Sequence, residues 1–572
     1  MKAEKIKIFL LFFLNIVNAF AEIVTIGTVI PLVALIIDEE NIKNYPFVEN
    51  SISLIPFYNE NKLLSVLFIF SIITIIIGIL RHINLVYTNK LAFQISIGIG
   101  SKLYSNSLNK PYEEYLKQNS SQTISDLTIK VNSMISGIFL PLLVFVNSAF
   151  LGISILIALF FINYLVTFMM LLIFGGSYLI ISKVLFQKVY NNSAEIVKYD
   201  ERLIKLIQES LGSFREISMD NNQSYYVKLF KELSVKLRDP QCENIISGTA
   251  PKFLMETIGI IFICVVAIYS GASGELGENF FPIIAAFTYS AQRLLPVSQQ
   301  IYNSWNSIIS NLSPIEVIST DLMNYREMND IRQLEVIELK SQIVFKNVSF
   351  SYGKGLSNVF KNLNFVIPVG LRVGVVGKTG SGKTTLMDLM LGLIEPSGGE
   401  IIINKSVLNR ESRLKWKNSI SNVPQNIYLS DLTVKENIAF GLNLKEIDEK
   451  RVISAAKRAQ IHEFIISLPD SYNTTIGERG ARVSGGQIQR IGIARALFHQ
   501  KKIIILDEAT SALDGVTESE VMKAIYDSDE KVTMFIIAHR LTTLEFTDMI
   551  LELKEGTIKV HSSYDKFMNQ IS

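Results

Sequence analysis

Three short stretches in the last third of the 572-residue chain carry side chains whose types and spacing could hold and cleave a phosphoanhydride. In Gly377-Lys378-Thr379-Gly380-Ser381-Gly382-Lys383-Thr384-Thr385 the glycines let successive backbone N–H groups close around phosphate oxygens, and a helix starting there adds its N-terminal dipole. Lys383 is expected to reach the β- and γ-phosphates of ATP. The Thr384 hydroxyl is expected to ligate Mg²⁺, which prefers hard oxygens and keeps several waters. Further on, the apolar run Ile503-Ile504-Ile505-Leu506 ends in Asp507-Glu508. Asp507 suits the cation's shell, and Glu508 can orient and partly deprotonate an attacking water. Between these two stretches lies Ser484-Gly485-Gly486-Gln487.

Such residues need rigid elements behind them. From residue 343 onward, short β-rich runs (343–345, 371–376, 400–404) alternate with helical ones, including a helix expected over 384–393. Strand, glycine loop, helix is the order that a phosphate loop requires, so an α/β domain is expected over 341–572, behind a polar linker at 313–340.

The front of the chain has another texture. Hydrophobic residues make up 49% of the chain and charged ones only 19%, unusual for a soluble protein, and the apolar excess lies before residue 312. Six membrane spans are expected, at about 6–37, 63–91, 135–162, 164–185, 250–271 and 280–310, forming an all-α six-helix transmembrane domain over 1–312. Lys2, Lys5 and Lys7 precede the first span, and Lys183, Lys188, Lys198, Arg202, Lys205 and Arg215 follow the fourth. Positive loops stay inside, which puts the N-terminus and everything after span six in the cytoplasm. Asp38-Glu39-Glu40, and Glu275 with Glu278, fall in loops with few or no basic residues and fit the outer side.

Between spans two and three, and between four and five, the pattern stays helical on the cytoplasmic side for tens of residues. Breaks interrupt it at 109–112 and 117–121, and at 212–217 and 219–222. The first span is too long for a signal peptide and lacks a small-residue cleavage site. Cys242 and Cys264 imply neither a disulfide nor a metal site. A formal net charge of +2, with no basic-aromatic stripe, gives no reason to expect nucleic acid.

Val483-Ser484-Gly485-Gly486-Gln487 resembles the signature of the ABC ATPases, and with the phosphate loop and Asp507-Glu508 the whole chain resembles an ABC exporter half-transporter. The resemblance implies that Tyr352 stacks on adenine, that Gln425 senses Mg²⁺ and links to the transmembrane domain, and that His539 contacts the γ-phosphate. It implies that Gly477-Glu478-Arg479-Gly480 touches coupling helices, an exporter trait, and that the breaks at 109–121 and 212–222 form those helices. Ser511-Ala512-Leu513-Asp514 would cross a dimer interface, and Ser484 to Gln487 would close over ATP held by the phosphate loop of a second subunit. One copy of each motif cannot make a working site, so a dimer follows. Glu508 and His539 are both present, which favours a homodimer. Two departures stand out: Val483 replaces the usual leucine, and Ile488 stands where a basic residue is common, which bears on a surface contact rather than on phosphate.

Ionisable groups deep in a span cost about 2.5 to 3.5 kcal/mol, so they face a cavity or a partner. Glu22, Arg81, His82 and Arg293 are therefore the substrate-pathway candidates, joined in span six by the polar Gln292, Gln299, Gln300 and Asn303, with the alternative that the arginines snorkel or pair structurally with Glu22. The segment 21–31, the long outer loop at 38–62 and Gln292-Arg293-Leu294-Leu295-Pro296 resemble exporters that flip lipid-linked oligosaccharides in bacteria. That resemblance implies ATP-driven flipping of an amphiphile, a lipid-linked oligosaccharide or membrane lipid, across the cytoplasmic (inner) membrane. The arginines would take an anionic headgroup bidentately. A peptide or multidrug exporter is the other transporter reading. An ATP-gated channel or membrane sensor is the alternative of another class, which Glu508 disfavours. Few residues precede span one, so the N-terminal elbow helix common in exporters is expected to be short or missing.

Overall fold

Side chains that are apolar around the whole circumference of a helix suit lipid rather than an aqueous surface, and the first part of the chain is built from such helices. The computed structural model describes residues 2–37, 62–272, 280–313, 315, 319, 336–353, 355–477, 480–526, 532–538 and 540–571. The expected outer loops at 38–61 and 273–279, and most of the expected linker, lie outside the described residues. The chain divides into two compact units, Met1–Lys110 with Gln118–Arg326, and Pro111–Lys117 with Glu327–Ser572.

In the first unit, helices run over Lys2–Ile37, Lys62–Leu108, Leu140–Ile162, Tyr164–Gly212, Gln223–Thr249, Pro251–Ala272 and Phe280–Ser310. Ile72, Ile75, Ile76 and Ile79 stay exposed, as lipid-facing residues do. Among the described residues, five helical stretches are long and apolar enough to cross a membrane: Lys5–Ile37, Leu63–Leu108, Ser120–Ile162, Tyr164–Gly212 and Gln223–Val265. The sixth expected span is the 31-residue helix Phe280–Ser310, whose apolar run is diluted by Gln292, Arg293, Gln299 and Gln300. The second and fourth helices, at 47 and 49 residues, continue well past the bilayer's need of about 20.

The expected breaks are present. One long helix ends at Leu108, the six-residue helix Tyr112–Lys117 follows, and helix resumes at Ser120; likewise Gly212, then Phe214–Met219, then Gln223. The third span is entered through two wide π turns, Asp126–Lys130 and Ile135–Phe139. Asn163 starts the fourth span by accepting the backbone N–H groups of Leu165 and Val166, each at 3.1 Å.

The second unit holds two sheets. Strands β1 (Gln342–Phe350), β2 (Phe360–Pro368), β4 (Gly398–Ile403) and β5 (Ser406–Val407) form an antiparallel sheet in the order β2-β1-β4-β5. The other sheet, β10-β9-β3-β8-β7-β6, comprises β3 (Arg372–Gly377), β6 (Ile420–Val423), β7 (Ile503–Asp507), β8 (Thr533–Ile537), β9 (Met549–Lys554) and β10 (Thr557–His561). It is parallel from β9 to β6, and only β10 runs against its neighbour. Its interior strands read Val373-Gly374-Val375-Val376, Ile503-Ile504-Ile505-Leu506 and Thr533-Met534-Phe535-Ile536-Ile537, the unbroken apolar runs of a sheet covered on both faces. The expected helix after the loop is present as Lys383–Met390.

Tyr112 packs against the apolar core that includes Phe345 and Trp416, and the Glu113 carboxylate accepts the backbone N–H of Glu395 at 3.0 Å. Phe345, fully buried, stacks on Phe365 with ring centroids 4.4 Å apart. Phe345→Ala should remove about 3 to 5 kcal/mol of stability, read as a lower urea midpoint for unfolding of the purified protein.

Candidate functional site

Three ionisable side chains meet inside the first unit. Glu22, only 2% exposed, forms an ion pair with Arg81, and its other oxygen lies 3.7 Å from Arg293 Nε. Arg293 also donates to the Tyr289 hydroxyl at 3.1 and 3.3 Å, with its guanidinium 5.3 Å over that ring. The two arginines are about a third exposed, and they border a cavity of about 350 Å³ walled also by Asn84, Gln292 and Gln300. Two guanidiniums against one carboxylate leave an excess positive charge. Structural pairing and access to a cavity therefore coexist. His82, one residue on and so turned by about 100° around the helix, is exposed and does not border this cavity.

A row of asparagines beside these charges escaped the sequence reading. Asn84 Nδ2 donates to Asn15 Oδ1 and to Asn147 Oδ1, both at 2.9 Å. Asn15, Asn18 and Glu22 share one helix face at i, i+3 and i+7, a spacing that could have signalled the row. Asn18 Oδ1, Asn84 Oδ1 and Glu22 Oε1 are buried acceptors without a hydrogen bond among the described residues.

In the second unit, parallel pairing aligns Val375 with Ile537 and Ile537 with Asp507. The loop after β3 and the Asp507 carboxylate thus share the carboxyl edge, where open α/β sheets bind ligands. Gly382 takes a left-handed φ of 99°, and a Cβ there would fall 2.8 Å from the Phe360 ring. Lys383, largely buried, lies along the loop and donates from Nζ to the carbonyls of Gly377 at 2.8 Å and Lys378 at 3.4 Å. Lys378 and Thr379 are exposed on the loop, and Thr384 is exposed in the first turn of the helix that follows. Thr385 is buried, and its hydroxyl pairs with Tyr352 Oη at 3.0 Å. That bond sets the Tyr352 ring beside the loop with 40% of its surface open.

Gln425 Nε2 donates to Glu508 Oε2 at 2.6 Å, which joins two of the expected residues across 83 positions. Glu508 sits at a left-handed φ of 51°, held by its N–H to the Ile537 carbonyl at 3.2 Å. Burial, with the Glu508 charge added, raises the Asp507 carboxyl above its ordinary value, partly opposed by Lys383. Burial and the Asp507 charge push Asp388 up to about 6. Among the described residues no cluster of three or more His, Cys, Asp or Glu side chains could hold a metal alone. Thr384, Asp507 and Gln425 would therefore need phosphate oxygens to complete a Mg²⁺ shell, as that ion ordinarily does.

Ser484 caps the helix Gly485–Phe498: its hydroxyl accepts Gln487 N at 3.4 Å, and its N–H donates to Gln487 Oε1 at 2.8 Å. Ser484 and Gly485 are exposed, and among the described residues no hydrogen bond or ion pair joins 483–487 to 377–385. Gly486 abuts Ala512, whose carbonyl would lie 3.2 Å from an added Cβ. Val483 and Ile488 turn inward against the core that holds Leu429, which accounts physically for apolar residues at both departures. Asp514 accepts Thr517 N at 3.0 Å and Thr517 Oγ1 at 2.8 Å, capping the helix Gly515–Tyr526. Those bonds hold its carboxyl below the usual range, the backbone N–H foremost. His539, Glu478 and Arg479 lie outside the described residues; Gly477 and Gly480 flank the latter pair at left-handed φ values of 78° and 72°.

Two residues that the sequence reading passed over organise this edge. Gln489, buried, donates to Ser511 Oγ at 2.9 Å and accepts Ala512 N at 2.8 Å, fixing the signature helix to the segment after Glu508. Glu518, 6% exposed, accepts Thr510 Oγ1 and Thr543 Oγ1, each at 2.7 Å, and Arg540 at 3.2 Å. Glu518→Ala should strand these donors at a cost of about 2 to 3 kcal/mol and lower ATP turnover about tenfold, with ATP binding retained; Glu518→Gln should recover part of the loss. Turnover assays beside nucleotide-binding titrations check both.

Comparisons with known proteins agree with this geometry. The chain matches the family model for the ABC transporter transmembrane region over residues 8–294, half its length, and that for the ABC transporter over 360–511. It is 25% identical to the ATP-dependent lipid A-core flippase of Cupriavidus pinatubonensis over 82% of this chain and 79% of that one. It is 27% identical to the β-(1→2)glucan export ATP-binding/permease protein NdvA of Bartonella bacilliformis, over 84% and 80% of the two chains. A bacterial Atm1-family ABC exporter solved with ATP bound superposes with a TM-score of 0.79 over 98% of this chain and 96% of that one, at 19% identity, which shows a common fold. The chain therefore belongs to the ABC transporters, with the family's transmembrane region and a domain that couples ATP hydrolysis to transport fused in one polypeptide.

Proposed function

We propose that this chain is one half of a homodimeric exporter that moves an amphiphile with an anionic headgroup, such as a lipid-linked oligosaccharide or lipid, out across the bacterial cytoplasmic membrane. The observation that carries the reading is the cavity beside Glu22, where two partly exposed guanidiniums outnumber one carboxylate. A phosphate-bearing headgroup supplies the acceptor geometry that guanidinium prefers. Relatives named for lipid A-core flipping and glucan export give the cargo class its second support. The exposed Ser484 and Gly485 at a helix N-terminus, unattached to their own phosphate loop, support a site completed by a second copy.

In this reading Tyr352 offers its open ring to adenine, and the backbone of 377–385 cradles the phosphates. Lys383 exchanges the Gly377 and Lys378 carbonyls for the β- and γ-phosphates. Thr384, Asp507 and Gln425 would hold Mg²⁺, which when bound neutralises phosphate charge. Glu508, fixed by Gln425, takes the proton from the attacking water, and His539 steadies the γ-phosphate. The helices Tyr112–Lys117 and Phe214–Met219 would carry nucleotide-driven motion to the spans, and hydrolysis resets it.

Glu508→Gln should lower ATP turnover at least about 100-fold while ATP still binds, because a neutral amide cannot accept the proton. Substantial residual turnover in a phosphate-release assay would remove Glu508 from that role. In proteoliposomes, Arg81→Ala with Arg293→Ala should abolish flipping of a lipid-linked oligosaccharide while basal ATP turnover persists. Wild-type flipping by that double variant would sink the headgroup assignment.

A further inference from the structure

A second cavity, of about 680 Å³, lies in the first unit among residues 125–133, 193–200, 238–249 and 303–311. Asn303 and Asn306 stand 10 and 13 residues beyond Arg293 on the same helix, about 15 to 20 Å along its axis. Amides and hydroxyls are numerous in its lining, as they are beside Glu22, with Asn244, Asn303, Asn306, Asn311, Ser125 and Ser193 among them. Among its charged members Lys130 is bonded to Asp126 and Glu201, each at 2.6 Å, and Arg238 donates to the neutral amide of Gln241 at 2.8 Å.

The backbone is shaped to hold these amides. A Cβ on Gly248 would fall 2.9 Å from Asn306 Nδ2, and one on Gly137 2.3 Å from Asn311 Cγ, so each glycine makes the notch that an asparagine fills. Asn306 Nδ2 donates to the Asn244 carbonyl at 3.0 Å, and Ser307 Oγ to the Gly137 carbonyl at 3.1 Å. The π turn Asp126–Lys130 adjoins Ser125 on the cavity wall, and interruptions of this kind gather at functional sites. Two lining groups remain unsatisfied: Asn244 Nδ2 and Ser125 Oγ are buried with no hydrogen-bond partner among the described residues. A buried donor without an acceptor is costly, so these two groups mark strain in the wall behind the cavity rather than contacts open to it.

We propose that this cavity is a binding site for a neutral polyhydroxylated group, a saccharide. Amides and hydroxyls both donate and accept, and so do sugar hydroxyls. The proposal rests on the exporter reading for the idea of a cargo, but not on the arginines holding an anion.

The test compares two probes in proteoliposomes, undecaprenyl diphosphate carrying a neutral hexasaccharide and undecaprenyl diphosphate alone, by the concentration that half-stimulates ATP turnover. Asn303→Leu with Asn306→Leu should raise that concentration about tenfold for the glycan probe and leave it within about twofold for the bare diphosphate, since two neutral hydrogen bonds are lost to the sugar alone. Equal shifts for both probes, or none for the glycan probe, would overturn the proposal. Arg81→Ala with Arg293→Ala shifts both probes if the anion reading holds; no shift there, beside a glycan-selective asparagine effect, ends that reading and keeps this one.

A second measurement does not depend on the leucine variants folding. With Cys242→Ser and Cys264→Ala removing both native thiols, Asn303→Cys is labelled with a charged maleimide. The glycan probe and the free hexasaccharide should each slow labelling, whereas the bare diphosphate should not. Slowing by the glycan probe alone ties the site to the lipid-borne sugar, and slowing by both shows that the sugar suffices. A rate unchanged by either glycan overturns the proposal.

Discussion

A carboxylate enclosed by apolar helices must find cations or take up a proton, and Glu22 finds two guanidiniums on two other helices. This contact does more than neutralise charge. A helix that is apolar all round has no stripe to tell it which face to turn inward, so its rotation about its own axis is weakly specified by the hydrophobic effect. Asn15, Asn18 and Glu22 supply the missing cue, because only one rotation brings them to Asn84, Arg81 and Arg293. Removing Glu22 from this set would leave two guanidiniums without their carboxylate, at a cost of about 3 to 5 kcal/mol, whereas the intact set adds little net stability. Its value is orientation. The geometry that fixes the spans is also the geometry that leaves excess positive charge beside a cavity.

The second unit solves a related problem with hydrogen bonds. Gln425 and Gln489 come from segments far from 508–518 in sequence, yet bonds of 2.6 and 2.9 Å tie them to Glu508 and Ser511, and Glu518 accepts Thr510 Oγ1 at 2.7 Å, around the carboxyl edge of the parallel sheet. Glu508 holds a left-handed backbone that a non-glycine residue adopts at a cost, and its neighbours over-determine that conformation. Precision at this edge therefore depends on residues that never touch phosphate.

How much of this was legible in the sequence depended on the range of the interactions. The phosphate loop, its strand and helix, the breaks flanking 112–117 and 214–219, and the long apolar helices are set by local chemistry: glycine tolerance, apolar period and polar interruptions. Glu22, Arg81 and Arg293 were legible because charge in an apolar run is conspicuous, whereas His82 was drawn in only by adjacency. The asparagines at 15, 18 and 84 were hidden because an amide in a span is an unremarkable letter until its partner across the bundle is known. Glu518 was hidden for the same reason: a glutamate in the polar helix start Thr517-Glu518-Ser519-Glu520 reads as solvated, and only the fold brings Thr543 and Arg540 to it. The amide-lined cavity needed four separated segments and two glycine notches to exist at all.

Pro111–Lys117 belongs to a compact unit whose other members begin at Glu327, and the bond from Glu395 N to the Glu113 carboxylate spans 282 residues. This has a consequence for biogenesis. A ribosome adding about 5 to 20 residues per second needs roughly 15 to 60 seconds to supply the partner after Glu113 has emerged. Through that interval the apolar face of Tyr112 has no core to enter, so the short helix is an unmated surface on a half-made membrane protein. Glu113 and Glu114, with Lys110 and Lys117, place four charged side chains around Tyr112 during that wait.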